Sequence, residues 1–555
     1  MHGLMMDYQL TLPTLIARAR TLFPHKRIVS RLPDKSVHEY TYADMARRSH
    51  ALGVALRRLG VAQGDRVGTL AWNHYQHLEA YFAIPCMGAV LHTLNLRLHP
   101  DDLTYIVNHA DDRVILVDET LLPLLDKIRD RIHPEHIVVM SQSMDAPEGL
   151  LSYEALLAEA DGADVTPPDL SENDAAAMCY TSGTTGRPKG VLYTHRSMVL
   201  HAMASATADS LGVRERDVVM AVVPMFHVNA WGLPFTSTMV GATQVMPGPH
   251  LDAQSLLENI ASEGVTFTAG VPTIWLGILR ALDANPDAYD VSSLRTLIVG
   301  GSAAPRSMIE GFERRHGLNV VHAWGMTETS PIGTVANLTS DLQDAPDEER
   351  FAYRATQGQP VPFVEVRAQG EDGPVPWDAA AMGELEVRSP WIARAYYDAP
   401  DIASRFTDDG WFRTGDIVTI DPRGYVKIQD RSKDLIKSGG EWISSVELEN
   451  LLMGHPAVAE AAVIPVAHPT WQERPLAVVV LEEGQSATAE ELRAHLEPHV
   501  ARWWLPDAYE FVAEIPKTSA GKFSKMTLRD RFKDYTLVDA KAGAPADVKV
   551  SDTHG

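Results

Sequence analysis

The chain has 555 residues, 45% hydrophobic and 22% charged, which indicates a globular protein that is too long for one core and is built of two or three domains. Its formal net charge of −24 excludes nucleic acid or an anionic membrane surface as a general target, and any anionic small substrate needs a locally basic patch. The two cysteines, Cys86 and Cys179, exclude a disulfide framework and a four-cysteine zinc site.

We expect neither a secretory signal nor a membrane span. The N-terminus lacks a basic region followed by an apolar core. The longest apolar stretch, about residues 80–91, is too short to cross a bilayer and predicts a buried helix. We therefore expect a cytoplasmic protein that does not insert into membranes.

The first 170 residues alternate helical and strand patterns. Apolar residues at helical spacing predict a helix over 42–59, and short apolar runs predict buried strands over 66–71 and 113–117. This alternation predicts parallel sheets that are covered by helices. The same alternation of helical and strand patterns continues further along the chain, with strands predicted over 218–223, 244–246, 266–270 and 297–300.

Residues 180–190, YTSGTTGRPKG, form the most distinctive segment of the chain. Apolar runs before and after it, at 175–179 and 191–193, predict a strand, a loop and a second strand. Glycines let the backbone approach a phosphate closely, hydroxyl and amide groups donate hydrogen bonds, and Lys189 adds a point charge. The ending of a Walker A loop is absent. We interpret the segment as a phosphate-binding loop; the alternative is a flexible surface turn.

Two later segments carry candidate nucleotide contacts. A predicted strand ends in Gly300 and Gly301, whose bare backbone leaves room for a flat base or a sugar. The segment HAWGMTETSP then supplies an indole at Trp324, a hydroxyl at Thr327 and, at Glu328, a hard carboxylate suited to Mg²⁺. The alternative for this segment is a helix N-terminus that is capped by Thr327 and has Glu328 in its first turn.

The sequence pattern changes from about residue 358 to 430. The predicted strands there are short and separated by many turn residues, which predicts a small antiparallel sheet or barrel. In the sequence GWFRTGD, Asp416 lies between turns and can accept from both hydroxyls of a ribose, and Arg431 lies further along the chain. An isolated Thr-Gly-Asp would instead indicate a simple hairpin turn. The strands of this region are predicted over 364–367, 383–387 and 425–428.

A second region begins after residues 431–433, where we place a domain boundary. Near its end, in the segment PKTSAGKFSK, Lys522 comes directly after a glycine, although a lone lysine of this kind is usually solvated surface. From about residue 540 the chain is rich in Ala, Asp, Lys and Gly, which predicts disorder. The region's helices are predicted over 445–453 and 489–496, and its strands over 461–466 and 476–481.

In this order, the segments resemble the signatures of the adenylate-forming enzymes, a superfamily that contains acyl-CoA synthetases, adenylation domains of peptide synthetases, and luciferases. The phosphate loop and the segment around Thr327 and Glu328 are fairly specific, and the resemblance covers nearly the whole chain. At Trp324 the family usually has tyrosine. The resemblance carries implications for the fold, for the roles of individual residues and for the acyl pocket.

The resemblance implies an α/β fold with a large N-terminal domain over residues 1–431. That domain contains two helix-covered, mainly parallel sheets and a small β-barrel. A small, mobile C-terminal α/β domain over 432–540 carries Lys522, and residues 541–555 form a disordered tail. In the family the small domain rotates about a hinge, here at Lys433, so that one active site serves two half-reactions.

The resemblance also implies roles for the residues at matching positions. Lys522 becomes the catalytic lysine of acyl-adenylate formation, Thr327 a donor to phosphate, and Thr184 and Glu328 the ligands of Mg²⁺. ATP and AMP would be bound by Thr181, Ser182, Gly183, Thr184, Thr185, Gly186, Lys189, Gly301, Ser302, Ala303, Trp324, Gly325, Met326, Thr327, Asp416 and Arg431. CoA would be bound by Lys437, Ser438, Gly439, Gly440, Glu441, Trp442 and Glu473.

By the same resemblance, the acyl pocket falls on the stretch VPMFHVNAWG, residues 223–232, with His227 and the bulky Trp231 on one wall. With Gly325 and Pro331 opposite, we expect a narrow apolar slot for a short or medium unbranched chain, which could contain a thioether. No cation lies within the stretch, which disfavours an amino acid or a dicarboxylate. The alternative is that Trp231 and Phe226 are core residues.

The segment after the hinge departs from the commoner family pattern, with Trp442 in place of asparagine and Ser444-Ser445 in place of Tyr-Pro. This departure resembles the medium-chain acyl-CoA synthetases and the 3-methylmercaptopropionate–CoA ligases, which act in bacterial breakdown of dimethylsulfoniopropionate. We therefore predict an ATP- and CoA-dependent ligase for 3-(methylthio)propanoate; the alternative is a general synthetase for butyrate to octanoate. A homodimer is expected in this branch.

Three other interpretations compete with a CoA ligase. A luciferase-like oxidase or a carrier-protein adenylation domain would share the fold, but no carrier domain lies between Lys522 and the end of the chain at residue 555. A nucleotide-binding regulatory protein without activity is the third. The joint presence of Lys522, Glu328, Asp416 and Arg431 argues against it, and ATP–pyrophosphate exchange would distinguish it from an enzyme.

Overall fold

The computed structural model describes residues 3–163, 167–181, 187–399, 404–438, 441–518 and 522–537. Contacts divide the chain into two compact units. The first holds Met1–Lys433 and Lys517–Phe523, and the second holds Asp434–Pro516 and Ser524–Gly555. The segment with Lys522 therefore belongs by its contacts to the first unit, and the predicted boundary after residue 431 stays a prediction. The predicted tail over 541–555 lies outside the described residues.

The helices alternate with the strands through the first unit and recur in the second. In chain order, the described residues form α1 (Pro13–Leu22), α2 (Tyr42–Arg58), α3 (Tyr75–Cys86), α4 (Pro100–Ala110), α5 (Leu122–Asp126), α6 (Tyr153–Ala160), α7 (His195–Ala206), α8 (Val228–Trp231), α9 (Leu233–Val240), α10 (Ala253–Glu263), α11 (Pro272–Ala284), α12 (Arg306–His316), α13 (Ser340–Gln343), α14 (Asp347–Arg354), α15 (Ser445–Leu452), α16 (Ala489–Leu496) and α17 (Lys525–Arg531).

Most strands are short and apolar. In chain order, the described residues form β1 (Arg27–Arg31), β2 (Val37–Thr41), β3 (Arg66–Leu70), β4 (Val90–Thr93), β5 (Asp112–Asp118), β6 (His136–Met140), β7 (Leu151–Ser152), β8 (Ala175–Tyr180), β9 (Gly190–Thr194), β10 (Val218–Ala221), β11 (Thr243–Met246), β12 (Phe267–Gly270), β13 (Thr296–Val299), β14 (Val320–Gly325), β15 (Ile332–Val335), β16 (Gln359–Pro360), β17 (Glu365–Gly370), β18 (Gly373–Pro374), β19 (Gly383–Arg388), β20 (Phe412–Ile420), β21 (Val426–Arg431), β22 (Ile436–Ser438), β23 (Glu441–Ile443), β24 (Val458–His468), β25 (Gln472–Leu481) and β26 (Ala508–Phe511).

Two large sheets form the body of the first unit. In the described residues, one has the strand order β7-β6-β5-β3-β4-β8-β9, parallel except for the hairpin β8–β9. The other has the order β16-β15-β14-β13-β12-β10-β11-β1-β2, parallel in its centre and antiparallel at both ends. The centre of β5, Val114–Val117, is continuously apolar because both faces of this sheet are buried.

Helix α2 shows why the sequence folds as predicted over residues 42–59. The Thr41 hydroxyl accepts a hydrogen bond from the Asp44 amide, and the Asp44 carboxylate accepts one from the Thr41 amide. Both amide groups at the start of the helix are thereby satisfied. The apolar face of α2, including Leu52 and Leu56, is buried in the core of the unit. The predicted strands over 66–71 and 113–117 are likewise confirmed, as β3 and β5.

The helix predicted over residues 80–91 is wrong in its second half. Helix α3 ends at Cys86, and Val90–Thr93 form strand β4. Gly88, with φ +90°, turns the chain between the two elements, a conformation that glycine adopts without steric cost. A short apolar run does not by itself distinguish a buried strand from a buried helix.

A third, smaller sheet completes the first unit. It is antiparallel, as predicted for residues 358–430, and its described strands pair in the order β18-β17-β19-β20-β21. In the second unit, the sheet has the order β23-β22-β25-β24, with β26 beside β25, and α15 and α16 contribute to its apolar core. The predicted fold class is confirmed: helix-covered, mainly parallel sheets are followed by a smaller C-terminal α/β unit. None of the helices that could be described is long and apolar enough to span a bilayer.

Candidate active site

The hairpin β8–β9 presents the predicted phosphate loop at its tip. Tyr180 lies opposite Gly190, which confirms that strands flank the loop. At its base, the Thr181 amide donates to the Lys189 carbonyl over 2.9 Å and the Lys189 amide donates to Thr181 Oγ1 over 3.2 Å. These two bonds hold the ends of the loop together. The remaining predicted loop residues, Ser182, Gly183, Thr184, Thr185 and Gly186, lie outside the described part of the chain.

Next to this base, Glu328 and Lys189 meet at one tyrosine, Tyr396. The Tyr396 hydroxyl donates to Glu328 Oε1 over 2.6 Å, and the Lys189 ammonium lies 5.5 Å from the centre of the same ring. Burial, followed by the neighbouring Glu328 charge, raises the pKa of Tyr396, so the phenol stays protonated and keeps donating. Tyr396 thus joins the predicted metal carboxylate to the phosphate loop. No sequence signal indicated this residue, because it lies far from both partners in the chain.

Mg²⁺ is compatible with this arrangement. Glu328 is buried, one of its oxygens accepts from Tyr396, and the other has no donor among the residues that the structure describes. Mg²⁺ is usually held by one or two carboxylates together with substrate phosphates and water. A dedicated cage is therefore not required, and the described residues contain no cluster of three His, Cys, Asp or Glu side chains that could hold a metal.

Asp416 and Arg431 face each other across strands β20 and β21. The register pairs them directly, and Arg431 Nε lies 2.6 Å from Asp416 Oδ1. The second carboxylate oxygen accepts from Trp324 Nε1 over 3.0 Å. Asp416 is almost fully buried, whereas Arg431 is about two-fifths exposed. The residues predicted for the ribose and for adenine therefore touch one another, and Trp324 is anchored by its indole N–H.

Lys522 lies in the field of these same charges. Burial first, and then the neighbouring Arg431 cation, lowers the pKa of Lys522 to about 8, while Asp416 and Glu328 act in the opposite direction. The Thr518 amide donates to the Lys522 carbonyl, and the Lys522 amide donates to Thr518 Oγ1. The structure therefore brings the predicted catalytic lysine to the predicted nucleotide residues.

Trp231 covers the glycine turn at the end of β13. A Cβ at Gly300 would lie 3.0 Å from Trp231 Cη2 and 2.8 Å from the Ala323 carbonyl oxygen, so a side chain there would displace the indole. A Cβ at Gly301, whose φ is +87°, would lie 3.8 Å from Trp231 Cζ2 and 3.7 Å from Lys522 Cε. The indole, the glycine turn and the lysine stem are thus neighbours. Ser302 and Ala303 continue the turn, and Ser302 is exposed.

The backbone that carries Trp231 is left-handed over α8. Val228, Asn229, Ala230 and Trp231 have φ angles of 46°, 52°, 49° and 55°. Each such residue costs about 1–2 kcal/mol relative to a right-handed turn, and strain of this kind persists only where surroundings enforce it. The sequence gives no signal for it, since these four residues are not glycines.

Neighbouring side chains hold this turn and the segment before it. The Asn73 amide group donates to the carbonyls of Ala221 and Val223, both over 2.9 Å, and its oxygen accepts from the Met225 amide over 2.7 Å. The Cys179 thiol lies 3.4 Å from Asn229 Oδ1. These contacts come from β8 and from the loop after β3, which is why sequence reasoning could not find them.

His201 links the Trp231 wall to the opposite wall. It packs against Gly232, where a Cβ would lie 2.7 Å from the imidazole, and its Nε2 accepts from the Ile332 amide over 3.2 Å. Burial lowers the pKa of His201 to about 3, so the ring is neutral and able to accept. On that wall, Gly325 and Pro331 are in such close backbone contact that a Cβ at Gly325 would overlap Pro331.

A cation that the sequence did not indicate lies beside the acyl stretch. The guanidinium of Arg97 is 5.8 Å from the centre of the Phe226 ring. Burial first, and then the charges of Lys522 and Arg97, lower the pKa of His227 to about 3. His227 is therefore neutral, and both cations act on it. Residues 223–232 themselves contain no cation, but Arg97, from another part of the chain, lies beside them.

Thr327 is not a helix cap, which removes the alternative based on capping. Thr327 is the first residue of a single 3₁₀ turn, Thr327–Thr329, and Met326 is in the cap position. The Met326 amide donates to Thr329 Oγ1 over 2.8 Å, while the Thr327 carbonyl accepts from Tyr193 over 2.7 Å. No described residue hydrogen bonds to the Thr327 hydroxyl, and its role as a donor to phosphate stays a prediction.

The residues predicted for CoA cluster in the second unit. The Lys437 ammonium lies 4.8 Å from the centre of the Trp442 ring, and the Lys437 amide donates to Glu473 Oε2 over 2.8 Å. Ser438 is buried and accepts from Arg474 over 3.0 Å, whereas Trp442 is two-fifths exposed. Gly439, Gly440 and the Glu441 side chain lie outside the described residues. Lys433, the predicted hinge, is exposed and is the last residue of the first unit's main segment.

Comparisons with known proteins agree with this arrangement. The AMP-binding enzyme family matches residues 16–397, and the AMP-binding enzyme C-terminal domain matches residues 447–522. A long-chain-fatty-acid–CoA ligase of Thermus thermophilus is 52% identical over 96% of this chain and 97% of the relative. A 3-methylmercaptopropionyl-CoA ligase of Ruegeria lacuscaerulensis is 46% identical over 96% of this chain and 99% of the relative.

A solved structure, the anthranilate CoA ligase AuaEII in complex with anthranoyl-AMP, superimposes with a TM-score of 0.84. It is 27% identical, and the match covers 95% of this chain and 98% of that one. Matches over nearly the full length of both chains leave no large unmatched region. The chain therefore belongs to the AMP-binding enzyme family, as an adenylate-forming acyl-CoA synthetase.

Proposed function

We propose that the enzyme activates 3-(methylthio)propanoate, forming an acyl-adenylate from ATP and then the thioester with CoA. The observation that carries this proposal is the stack of the Trp231 indole on the Gly300–Gly301 turn, beside the Lys522 stem. A rigid indole at this place shortens the space available to an acyl chain whose carboxylate points at the lysine. The wall is uncharged along residues 223–232, so a thioether or a short alkyl chain suits it.

The first half-reaction needs charge stabilisation more than acid–base chemistry. A carboxylate oxygen of the acid attacks the α-phosphorus of ATP, and the bond to the departing pyrophosphate breaks with its electron pair. The Lys522 ammonium lies between the carboxylate and the α-phosphate, with Thr327 as a further donor. Asp416 holds the ribose beside Arg431, and Lys189 neutralises the departing phosphates. Mg²⁺ at Glu328 and Thr184 would neutralise phosphate charge when bound.

The second half-reaction transfers the acyl group. The thiol of CoA attacks the carbonyl carbon of the adenylate, and AMP leaves because its phosphate is a far better leaving group than oxide. Lys437 and Trp442, with the residues directly after Ser438, bind the pantetheine arm in this proposal. Lys433 is the hinge at which the second unit changes its position between the two half-reactions.

A Lys433→Pro variant tests this hinge. Proline restricts the backbone of its own and the preceding residue, so thioester formation should slow by about tenfold or more while adenylation changes little. The measurement compares ATP–pyrophosphate exchange with thioester formation in a single turnover. Lys433→Ala is the matched control, which removes the charge but keeps the backbone free. Equal losses in both half-reactions of the proline variant would contradict the hinge.

A general medium-chain synthetase, for butyrate to octanoate, is the second candidate. The Thermus relative, named for long-chain acids, is more similar to this chain than the relative named for 3-methylmercaptopropionate. Chains of different length are separated by little energy, about 1–3 kcal/mol per methylene in an apolar pocket. Sequence similarity alone therefore does not choose between these substrates.

Release of AMP with a panel of acids tests the choice: acetate, butyrate, hexanoate, octanoate, benzoate and 3-(methylthio)propanoate. A maximum of kcat/KM at 3-(methylthio)propanoate supports the first proposal, and a maximum at hexanoate or octanoate supports the second. No AMP release with any of them contradicts both. We also propose that the enzyme is a cytoplasmic homodimer, which light scattering of the purified protein and fractionation of cells would test.

A further inference from the structure

Tyr396 lies on a short segment that connects the phosphate hairpin to Glu328. The Ala393 amide donates to the Glu328 carbonyl over 2.8 Å, and the Tyr397 amide donates to the Gly190 carbonyl over 2.9 Å. Tyr396 lies between these two backbone contacts and is only 7% exposed. Its backbone is therefore held on both sides, and the reaction as proposed above gives its side chain no role.

The Tyr396 hydroxyl takes up one of the two oxygens of Glu328. It donates to Oε1 over 2.6 Å, a short distance that is typical of a bond from a hydroxyl to a charged oxygen. The charge of Arg405 also acts on this hydroxyl, which can accept from a guanidinium while it donates to Glu328. Glu328 is 5% exposed, and its second oxygen has no donor among the described residues. The bond thus orients the buried carboxylate and leaves its second oxygen for a ligand.

The ring of the same tyrosine contacts Lys189. The ammonium lies 5.5 Å from the ring centre, within the range of about 6 Å over which an aromatic ring attracts a cation. Phe406 packs edge-on against the ring, with ring centres 5.8 Å apart, and holds it in place. No carboxylate of the described residues pairs with the Lys189 ammonium. A neutral ring therefore positions this cation, and its charge stays available for phosphate.

We propose that Tyr396 is a positioning residue with two separate tasks: its hydroxyl orients Glu328 for Mg²⁺, and its ring places Lys189 for the phosphates of ATP. This inference rests on the roles proposed above for Glu328 and Lys189, and it adds the residue on which both depend. The two tasks can be separated by substitution, because phenylalanine keeps the ring and loses the hydroxyl.

Binding of ATP with and without Mg²⁺ tests the hydroxyl. The quantity measured is the ratio of the dissociation constant of ATP in EDTA to that in excess Mg²⁺, by isothermal titration calorimetry without acid or CoA. In Tyr396→Phe this ratio should fall about tenfold, the loss expected for one hydrogen bond to a charged group, while the dissociation constant in EDTA stays within about twofold.

Steady-state kinetics of the same variant give a second readout. In ATP–pyrophosphate exchange with excess Mg²⁺, the KM for ATP should rise about tenfold in Tyr396→Phe while kcat stays within about twofold. A general loss of structure would lower kcat as well. Packing on Phe406 is kept in this variant, so it should fold normally.

Tyr396→Leu tests the ring. It removes both contacts, so ATP binding in EDTA should weaken about three- to tenfold relative to Tyr396→Phe, which keeps the attraction to Lys189. The same comparison in a Lys189→Ala background should show no difference, because the cation that the ring places is gone. If leucine destabilises the fold, Tyr396→Met fills the space with a longer and more adaptable side chain. Equal binding in EDTA by the variants with and without the ring would overturn the second task.

Tyr397→Phe is the matched control. Tyr397 is the next residue on the same segment, and its hydroxyl has no hydrogen-bond partner among the residues that the structure describes. Removing that hydroxyl should leave the ratio, the KM and the kcat within about twofold of those of the unmodified enzyme.

The outcomes separate this inference from the function on which it rests. If Glu328→Gln lowers the ratio and Tyr396→Phe does not, Glu328 serves the metal without Tyr396, and the inference alone is overturned. If ATP binds equally with and without Mg²⁺ in the unmodified enzyme, the metal role proposed for Glu328 fails, and the hydroxyl's task fails with it. Equal losses of ATP binding with and without Mg²⁺ in Tyr396→Phe would mean that the hydroxyl only stabilises the fold.

Discussion

The nucleotide edge and the acyl wall of the first unit are built in opposite ways. The nucleotide edge, formed by Glu328, Asp416, Arg431 and Lys522, is charged: Arg431 pairs with Asp416, and the charges of Arg431, Asp416 and Glu328 act on Lys522. The acyl wall, residues 223–232, contains no charged residue; the Asn73 side chain holds it through neutral hydrogen bonds, and His201 packs against it at Gly232. The two regions meet where Lys522 lies beside Trp231 and Gly301.

The charged nucleotide edge serves the step that every substrate of the enzyme shares, whereas the uncharged acyl wall contacts the part that distinguishes one acid from another. Adenylation always places negative charge at the same atoms, so the groups that stabilise it need fixed positions and full charge. Choice of acid depends on shape and on a few apolar contacts, which are individually weak. Changes at the nucleotide edge should therefore alter rate, and changes at the acyl wall should alter preference.

The largest effect is expected from Lys522→Ala. Removing a preorganised cation from the transition state should lower the rate of ATP–pyrophosphate exchange by about 10²- to 10³-fold. Thioester formation from added acyl-adenylate should stay close to the normal rate, since the role proposed for the lysine belongs to the first half-reaction. Lys522→Arg is the control that keeps the charge. Equal loss in both half-reactions would contradict the assigned role.

A smaller effect is expected from Asp416→Asn. Asp416 pairs with Arg431 and is proposed to accept from ribose, so losing this buried charge should raise the KM for ATP by about 10- to 100-fold, with little change of preference among acids. Asp409→Asn is the matched control, because Asp409 pairs with Arg367 on the same small sheet but is mostly exposed. The measurement is steady-state kinetics with ATP varied. A changed acid preference with an unchanged KM for ATP would contradict the division of roles between the nucleotide edge and the acyl wall.

Trp231→Ala should produce the complementary result. Removing the indole from the Gly300 turn deepens the space beside Lys522, so the ratio of kcat/KM for dodecanoate over butyrate should rise by about tenfold. The KM for ATP should stay within about twofold of normal. Trp377→Ala, at an exposed tryptophan of the first unit, is the control and should change neither value. A loss of stability without a change of preference would make Trp231 a core residue.

The pH dependence of adenylation should show the smallest effect. The pKa of Lys522 is lowered to about 8, so its ammonium form is present below that pH and is lost as the pH rises through it. The kcat/KM for ATP–pyrophosphate exchange should therefore halve near pH 8 and then fall about tenfold per pH unit. The Lys522→Arg variant should lack this fall, because arginine keeps its charge. An unchanged rate up to pH 10 in the unmodified enzyme would contradict the shift.

The chemistry-bearing residues were largely visible in the sequence, because each lies in a short segment whose residue types have few other uses. The phosphate loop between β8 and β9 was predicted with its flanking strands, and Asp416 and Arg431 were predicted together before the register showed them paired. Helix α2 was predictable because its cap and its apolar face are both local signals. The boundary between α3 and β4 was not, because the mainly apolar run over residues 80–91 extends from one element into the other.

Several features could not be predicted because they join distant parts of the chain. Tyr396 reaches Glu328 across 68 positions, and Arg97 comes to the acyl wall from the loop after β4. The left-handed turn at Val228–Trp231 contains no glycine, so the sequence does not predict it. Asn73 and Cys179 hold the surrounding backbone in place. A pattern within one segment contains no information about partners of this kind.

By itself, the sequence determined the class of chemistry, since phosphate-binding loops and catalytic lysines depend on local composition and on order along the chain. Tertiary structure alone decided the protonation of Lys522 and His227 and the shape of the acyl wall. These properties arise from burial and from charges that folding brings together, and the free energy of both depends on distance in space, which the order of residues does not specify.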